Sequence, residues 1–97
     1  MSEVESYRLK GEALLGAGAA SAAQAQAYYE KAITVAREQK ARSWELRATV
    51  SLARLLAKQG RRDEARTMLA EIYGWFTEGF DTADLKDAKS LLDELNG

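Results

Sequence analysis

The sequence predicts an all-α fold: two helical hairpins stacked as a repeat array and closed by a fifth helix. Three observations predict it. The chain is rich in Ala, Leu, Glu, Lys and Arg and contains no Pro, so nothing removes a backbone donor or fixes φ against a helix. Apolar residues recur at three- and four-residue spacing along most of the chain, the period of a helix with one buried face. The chain also matches itself at a nearly fixed offset, as repeat arrays do. Its 97 residues suffice for one domain, 1–97, around one modest core.

The elements follow in order. A first helix is predicted from Val4 to Ala17, with Val4, Tyr7, Gly11, Leu14 and Gly18 on its core face. Gly16-Ala17-Gly18 breaks it. Ser21 and Gln24 have capping-box spacing, which starts the second helix near Ala22. Its stripe is Ala25, Tyr29, Ala32, Ile33 and Ala36, and it ends between Gln39 and Ala41. The third helix begins between Arg42 and Trp44 and runs to Gln59. It has two apolar stripes, Leu46-Val50-Ala53-Leu56 and Ala48-Leu52-Leu55, so it should pack on two sides. Gly60 is its C-cap. The fourth runs from Arg62 to Phe76 on Ala65, Met68, Leu69, Ile72 and Phe76, and Gly79 closes it. Asp81 or Thr82 caps the fifth, whose apolar residues are Leu85, Ala88, Leu91, Leu92 and Leu95. Hairpin 1 thus covers about 3–40, hairpin 2 about 42–79 and the capping helix about 82–96.

The internal match aligns Ala13–Gly18 with Leu55–Gly60 at an offset of 42, and Ala25–Ala32 with Ala65–Ile72 at an offset of 40. The difference falls in the Ala17–Ser21 loop, where a length change is tolerated. Small residues recur where two helices approach closely, at Gly11 and Ala53 in the first helix of each unit and at Ala25 and Ala65 in the second. Tyr7, Gly11, Leu14, Gly18, Ala25, Tyr29 and Ala32, followed by Ala53, Leu56, Gly60, Ala65 and Leu69, resemble the tetratricopeptide pattern. The units are longer than that family's repeat of about 34 residues. A second resemblance covers most of the chain. Ala41–Ala48, Ser51–Leu55, Gln59–Arg61 and above all Tyr73–Lys86, with its Trp75-Phe76-Thr77-Glu78-Gly79-Phe80 run, are similar to the C-terminal helical-repeat tail of large bacterial signalling proteins. Those proteins join a class III adenylate/guanylate cyclase or a transcription-factor domain to an ATPase domain. The resemblance implies a TPR-like scaffold or interaction tail, and it carries over no catalytic residue.

The chain has no Cys and no His. It therefore has no thiolate nucleophile, no Zn–thiolate site and no imidazole base. No catalytic, metal or cofactor residues are expected, and no enzyme activity. No apolar run reaches the roughly 18 residues of a membrane span, and the acidic start is unlike a secretory leader. The lack of Cys fits a reducing cytoplasm, so a cytoplasmic protein without membrane contact is expected. Net charge is −1, which gives no global attraction to nucleic acid. The charge is uneven: residues 37–66 hold nine Lys/Arg against four Asp/Glu, and residues 71–97 hold two against seven.

Several constellations have simpler readings. Gly16-x-Gly18-x-x-Ser21 lacks the preceding strand of a dinucleotide fingerprint and reads as a turn. Asp81, Asp84 and Asp87 are three apart where a helix begins, as helix-end carboxylates are, rather than two apart as in a calcium loop. Tyr73, Trp75, Phe76 and Phe80 are expected to bury the last hairpin under the fifth helix, with a partner hot spot as the sharper reading. In a tetratricopeptide array the first helices line the concave face. That would put Arg47, Val50, Arg54, Ala57 and Lys58 beside Glu5, Arg8, Glu12, Leu15 and Gly16. Two readings follow. Either Glu5 pairs with Arg47 and Glu12 with Arg54, or Arg8, Arg47, Arg54 and Lys58 hold an acidic peptide or protein. In the fifth helix Asp84, Asp87, Ser90, Asp93 and Glu94 should face outward. A second row on the first helix, Leu9, Ala13, Ala17 and Ala20, has no partner in the chain. Repeat arrays need polar ends, so this row predicts a homodimer through the first helix. The expected function is a non-enzymatic protein-interaction module, or the C-terminal scaffold cap of a bacterial signalling regulator. The alternative is a self-associating structural element.

Overall fold

The computed structural model of the chain describes residues 3–16, 21–76 and 83–97. Among these residues there are five α-helices and no strand: α1 Glu3–Gly16, α2 Ala22–Glu38, α3 Arg42–Lys58, α4 Arg62–Tyr73 and α5 Ala83–Asn96. Each helix packs on the next in sequence, and α3 also packs on both α1 and α5. Thus α1, α3 and α5 form one layer, with α2 and α4 in a second. The shortest dimension of the molecule, 19 Å, is that of two helices of about 10 Å each.

α3 is central, as its two apolar stripes require. Leu46, Ala48, Val50, Leu52, Ala53, Leu55 and Leu56 are all buried. α2 buries Ala25, Tyr29, Ala32, Ile33, Val35 and Ala36. Within the first unit α1 and α2 approach closely at Gly11. A Cβ placed there would lie 2.7 Å from Cε1 of the Tyr29 ring, so the ring lies where any larger residue would put a side chain. Tyr29 is fully buried, and its hydroxyl finds no well-formed hydrogen bond among the described residues. Burial raises its pKa. The charge of the neighbouring Glu12 carboxylate raises it further.

Two turns repeat one geometry. After α2, the Lys40 N–H donates to the Arg37 carbonyl at 3.1 Å and the Ala41 N–H to Ala36 at 2.8 Å. After α3, Gly60 donates to Ala57 at 3.1 Å and Arg61 to Leu56 at 2.9 Å. Both are Schellman caps, which need a left-handed residue. Gly60 supplies it at φ 81° without a Cβ conflict, whereas Lys40 holds φ 55° at a cost of about 1–2 kcal/mol. At the far end, Arg62 Nη2 donates to the carbonyls of Glu94 (2.8 Å) and Leu95 (3.3 Å). That bond satisfies two C-terminal carbonyls of α5 and ties α5 to the start of α4.

Four expectations are corrected. Ser21 stands at the start of α2 but makes no side-chain capping bond, so no capping box forms there. α4 stops at Tyr73 rather than Phe76. Gly74 has poor helix propensity, and the chain tightens into i→i+3 bonds from Trp75 to Ile72 and from Phe76 to Tyr73. Trp75 is consequently turned outward and stays 43% exposed, with the Arg42 guanidinium 4.7 Å above its ring. It does not bury the hairpin, while Tyr73 and Phe76 are half-buried. Finally, Asp84 does not face outward, because α5 packs on α3 and brings its carboxylate to Arg47. Phe80, Ala17, Ala20, Gly79 and the predicted cap at Asp81 or Thr82 lie outside the described residues.

Candidate functional site: the charged face of α1, α3 and α5

The α1–α3–α5 layer carries a hollow of about 220 Å³ lined by Arg8, Arg47, Val50, Arg54, Asp84 and Asp87 among others. Its charges alternate along a chain of contacts. Arg8 donates through Nε and Nη2 to the two Glu5 oxygens at 2.6 and 2.9 Å, and its Nη1 lies 3.6 Å from Glu12. Arg47 donates through Nε and Nη2 to both Asp84 oxygens at 3.1 Å, and its Nη1 lies 3.5 Å from Glu5. Its guanidinium also lies 4.9 Å from the Trp44 ring centroid. The network thus runs Glu12, Arg8, Glu5, Arg47, Asp84 across three helices. Both arginine forks are bidentate, which fixes their planes.

Position along the helices decides who pairs with whom. Glu5, Arg8 and Glu12 are three and four apart on α1 and therefore neighbours. The expected pair of Glu5 with Arg47 is present. The expected pair of Glu12 with Arg54 is not, because Glu12 turns to Arg8. Arg54 and Lys58 are exposed, and no ion pair to either is found among the described residues. Arg54 also borders a second hollow of about 350 Å³ on the same layer, with Ala57, Lys58, Leu91 and Glu94. The four cations singled out in the sequence thus lie along one layer. Two are neutralised by the chain itself and two remain open.

The Glu5 pKa is lowered below its ordinary value of 4.5, chiefly by the hydrogen bond from Arg8, against the opposing effect of burial. The hydrogen bonds that Arg8 donates to Glu5 and Arg47 donates to Asp84 raise the pKa values of the two guanidinium groups in turn. A carboxylate with a depressed folded pKa contributes stability above its unfolded pKa and loses it as pH falls through the folded value. Glu5→Gln should therefore destabilise the protein by about 1 kcal/mol near neutral pH, with the difference shrinking below about pH 4.5. Urea unfolding at neutral and acid pH checks this. An equal difference at both would contradict it.

Leu9 is 43% exposed and Ala13 is exposed as well, so neither is covered by the described residues. Sequence reasoning missed Asp84 as the main partner of Arg47. The signal was weak, since a carboxylate in the first turn of a helix already has a local explanation. It also missed Glu45, which is 3% exposed and held by Arg37 Nε at 2.8 Å. A third omission is the groove between α1 and α2, where Tyr7 stacks on Tyr28 with ring centroids 6.3 Å apart. There the Lys10 ammonium sits 5.4 and 5.9 Å from the two ring centroids. Among the described residues no helix is long and apolar enough to cross a membrane. Comparison with protein-family models, curated proteins and solved structures finds no match to this chain.

Proposed function

We propose that the chain is a non-enzymatic protein-interaction module whose α1–α3–α5 face takes an acidic segment of a partner protein. The observation that carries this is the Arg54–Lys58 pair. The two cations are one helical turn apart, exposed, and line a hollow together with Ala57, Leu91 and a single carboxylate, Glu94. A carboxylate-bearing segment with one apolar residue matches that surface in charge and shape. Arg8 and Arg47 have a different role in this reading: their ion pairs hold α1, α3 and α5 in register. The alternation of layers supports a tetratricopeptide-like arrangement. The similarity of the Tyr73–Lys86 stretch to the tail of bacterial cyclase–ATPase and transcriptional regulators supports a place at the end of such a tail, in the cytoplasm.

The test uses a labelled peptide of Asp, Glu and Leu residues. It should bind the parent protein in low salt, and the double variant Arg54→Glu/Lys58→Glu should weaken binding by about a hundredfold or more, since each reversed contact is worth about tenfold. Fluorescence anisotropy reads this directly. Equal binding by parent and variant, or none by the parent, would sink the reading.

Self-association is the second reading, favoured by the 43% exposure of Leu9 next to exposed Ala13. It predicts a mass by light scattering that rises with concentration toward a dimer and returns to a monomer in Leu9→Glu. A concentration-independent monomer contradicts it.

A further inference from the structure

The two units of the chain have the same groove, filled in one and open in the other. In the second unit, Thr49 of α3 and Met68 and Glu71 of α4 form a groove into which α2 presents Ile33 and Arg37, leaving a hollow of only about 40 Å³. Shifting by the internal offsets of 42 and 40 turns Thr49 into Tyr7, Met68 into Tyr28 and Glu71 into Lys31. Those three residues line a hollow of about 660 Å³ between α1 and α2, with Lys10, Leu14 and Gln24 among its other walls. The burial of equivalent residues differs accordingly. Leu52 and Leu56 are 4% and 2% exposed. Their counterparts are Lys10, which is exposed, and Leu14, which is half-buried. What α2 covers in the second unit, no described residue covers in the first.

The filled groove shows the form of the occupant, and the open one shows its charge. In the second unit the entering helix brings Arg37 to Glu45 of α3 at 2.8 Å, and Glu71 stands on the same wall. In the first unit the wall residue is Lys31, joined by Lys10 above the Tyr7 and Tyr28 rings. The charged residues that line the open groove are thus both cations, so a complementary helix brings carboxylates. We propose that the α1–α2 groove is a docking slot for an acidic amphipathic helix of a partner protein, seated against α1 as α2 is seated against α3. Ile33 and Arg37 enter the filled groove four residues apart. The occupant therefore presents an aliphatic residue to the groove, with Glu or Asp placed on the same face to reach Lys10 and Lys31. Tyr7 and Tyr28 supply the aromatic contact area. This slot is separate from the Arg54–Lys58 surface and does not depend on it.

The probe is a capped peptide with the α2 sequence, residues 22–38, carrying Lys31→Glu and Arg37→Glu. The unaltered α2 peptide serves as the basic control. Calorimetry with the full chain should show the acidic peptide binding at least about tenfold tighter than the control. Lys10→Glu/Lys31→Glu in the protein should reverse that preference, while Arg54→Glu/Lys58→Glu should leave it unchanged. Both lysines are exposed, and unaltered thermal unfolding of the double variant would establish that its fold is intact. Four results would overturn the proposal. One is no binding of the acidic peptide. Another is binding that Lys10→Glu/Lys31→Glu leaves unchanged. The third is a protein dimer, seen by light scattering, that the same double variant dissociates, because a second copy would then fill the slot. Loss of binding in Arg54→Glu/Lys58→Glu alone would assign the peptide to the other face and overturn the slot while sparing the module reading.

Discussion

Tyr29→Ala is expected to destabilise the protein by about 3–5 kcal/mol, the range for emptying a buried aromatic site. A domain of this size typically has about 5–15 kcal/mol in total, so the variant should be close to unfolded at physiological temperature. The reason is local. Tyr29 is fully buried and its ring lies against Gly11, where no side chain leaves room for repacking. Gly11 cannot grow into the cavity except through substitution. Tyr29→Phe keeps the ring and removes a hydroxyl that makes no well-formed hydrogen bond among the described residues. It should therefore stabilise the fold by about 1 kcal/mol. Urea unfolding followed by circular dichroism measures both. A loss in Tyr29→Phe comparable with that in Tyr29→Ala would show that the hydroxyl, not the ring, holds α1 to α2.

The second large effect is a comparison of repeat-equivalent leucines. Leu56→Ala should cost about 3 kcal/mol, as a large-to-small change at a site that is 2% exposed. Leu14→Ala, at the same place in the first unit, should cost about 1 kcal/mol, because Leu14 is only half-buried and much of its surface already meets water. The two substitutions are chemically identical, so their difference measures how much covering α2 adds to the second unit. Equal losses would mean that the first groove is closed in solution. In that case a dimer detected by light scattering would account for the cover.

The helices were legible because their signals are local and redundant. The core stripe of α2 is buried at every predicted position, Ala25, Tyr29, Ala32, Ile33 and Ala36. The two stripes of α3 correctly place it between neighbours on two sides. Gly60 takes the left-handed conformation its place in the sequence demands. Misreadings arose where a second local rule was equally available. Gly74 ends α4 one turn before the apolar pattern does. Ser21 has the spacing of a capping box without forming the bond. The turn after α2 uses Lys40 where a glycine would be expected, so no Gly marks it.

The site was legible only in part, since charge position can be read along one helix but partner choice depends on three. Arg8, Arg47, Arg54 and Lys58 lie along one layer, and the contact of Glu5 with Arg47 followed from the repeat register. The claim of Asp84 on Arg47 depends on how α5 settles against α3, and no periodicity carries that information. The open groove between α1 and α2 was visible in the self-match, once Lys10 is set against Leu52 and Lys31 against Glu71. Its meaning needed the packing of α2 in the second unit.

The most direct test of the interaction reading is to titrate the isotope-labelled protein with the unstructured acidic peptide and follow backbone amide shifts by NMR. The account predicts saturable shifts along α3 from Arg47 to Lys58 and around Leu91–Glu94 of α5, reduced by salt and absent in Arg54→Glu/Lys58→Glu. An unchanged spectrum, or shifts that leave Arg54 and Lys58 untouched, would contradict it.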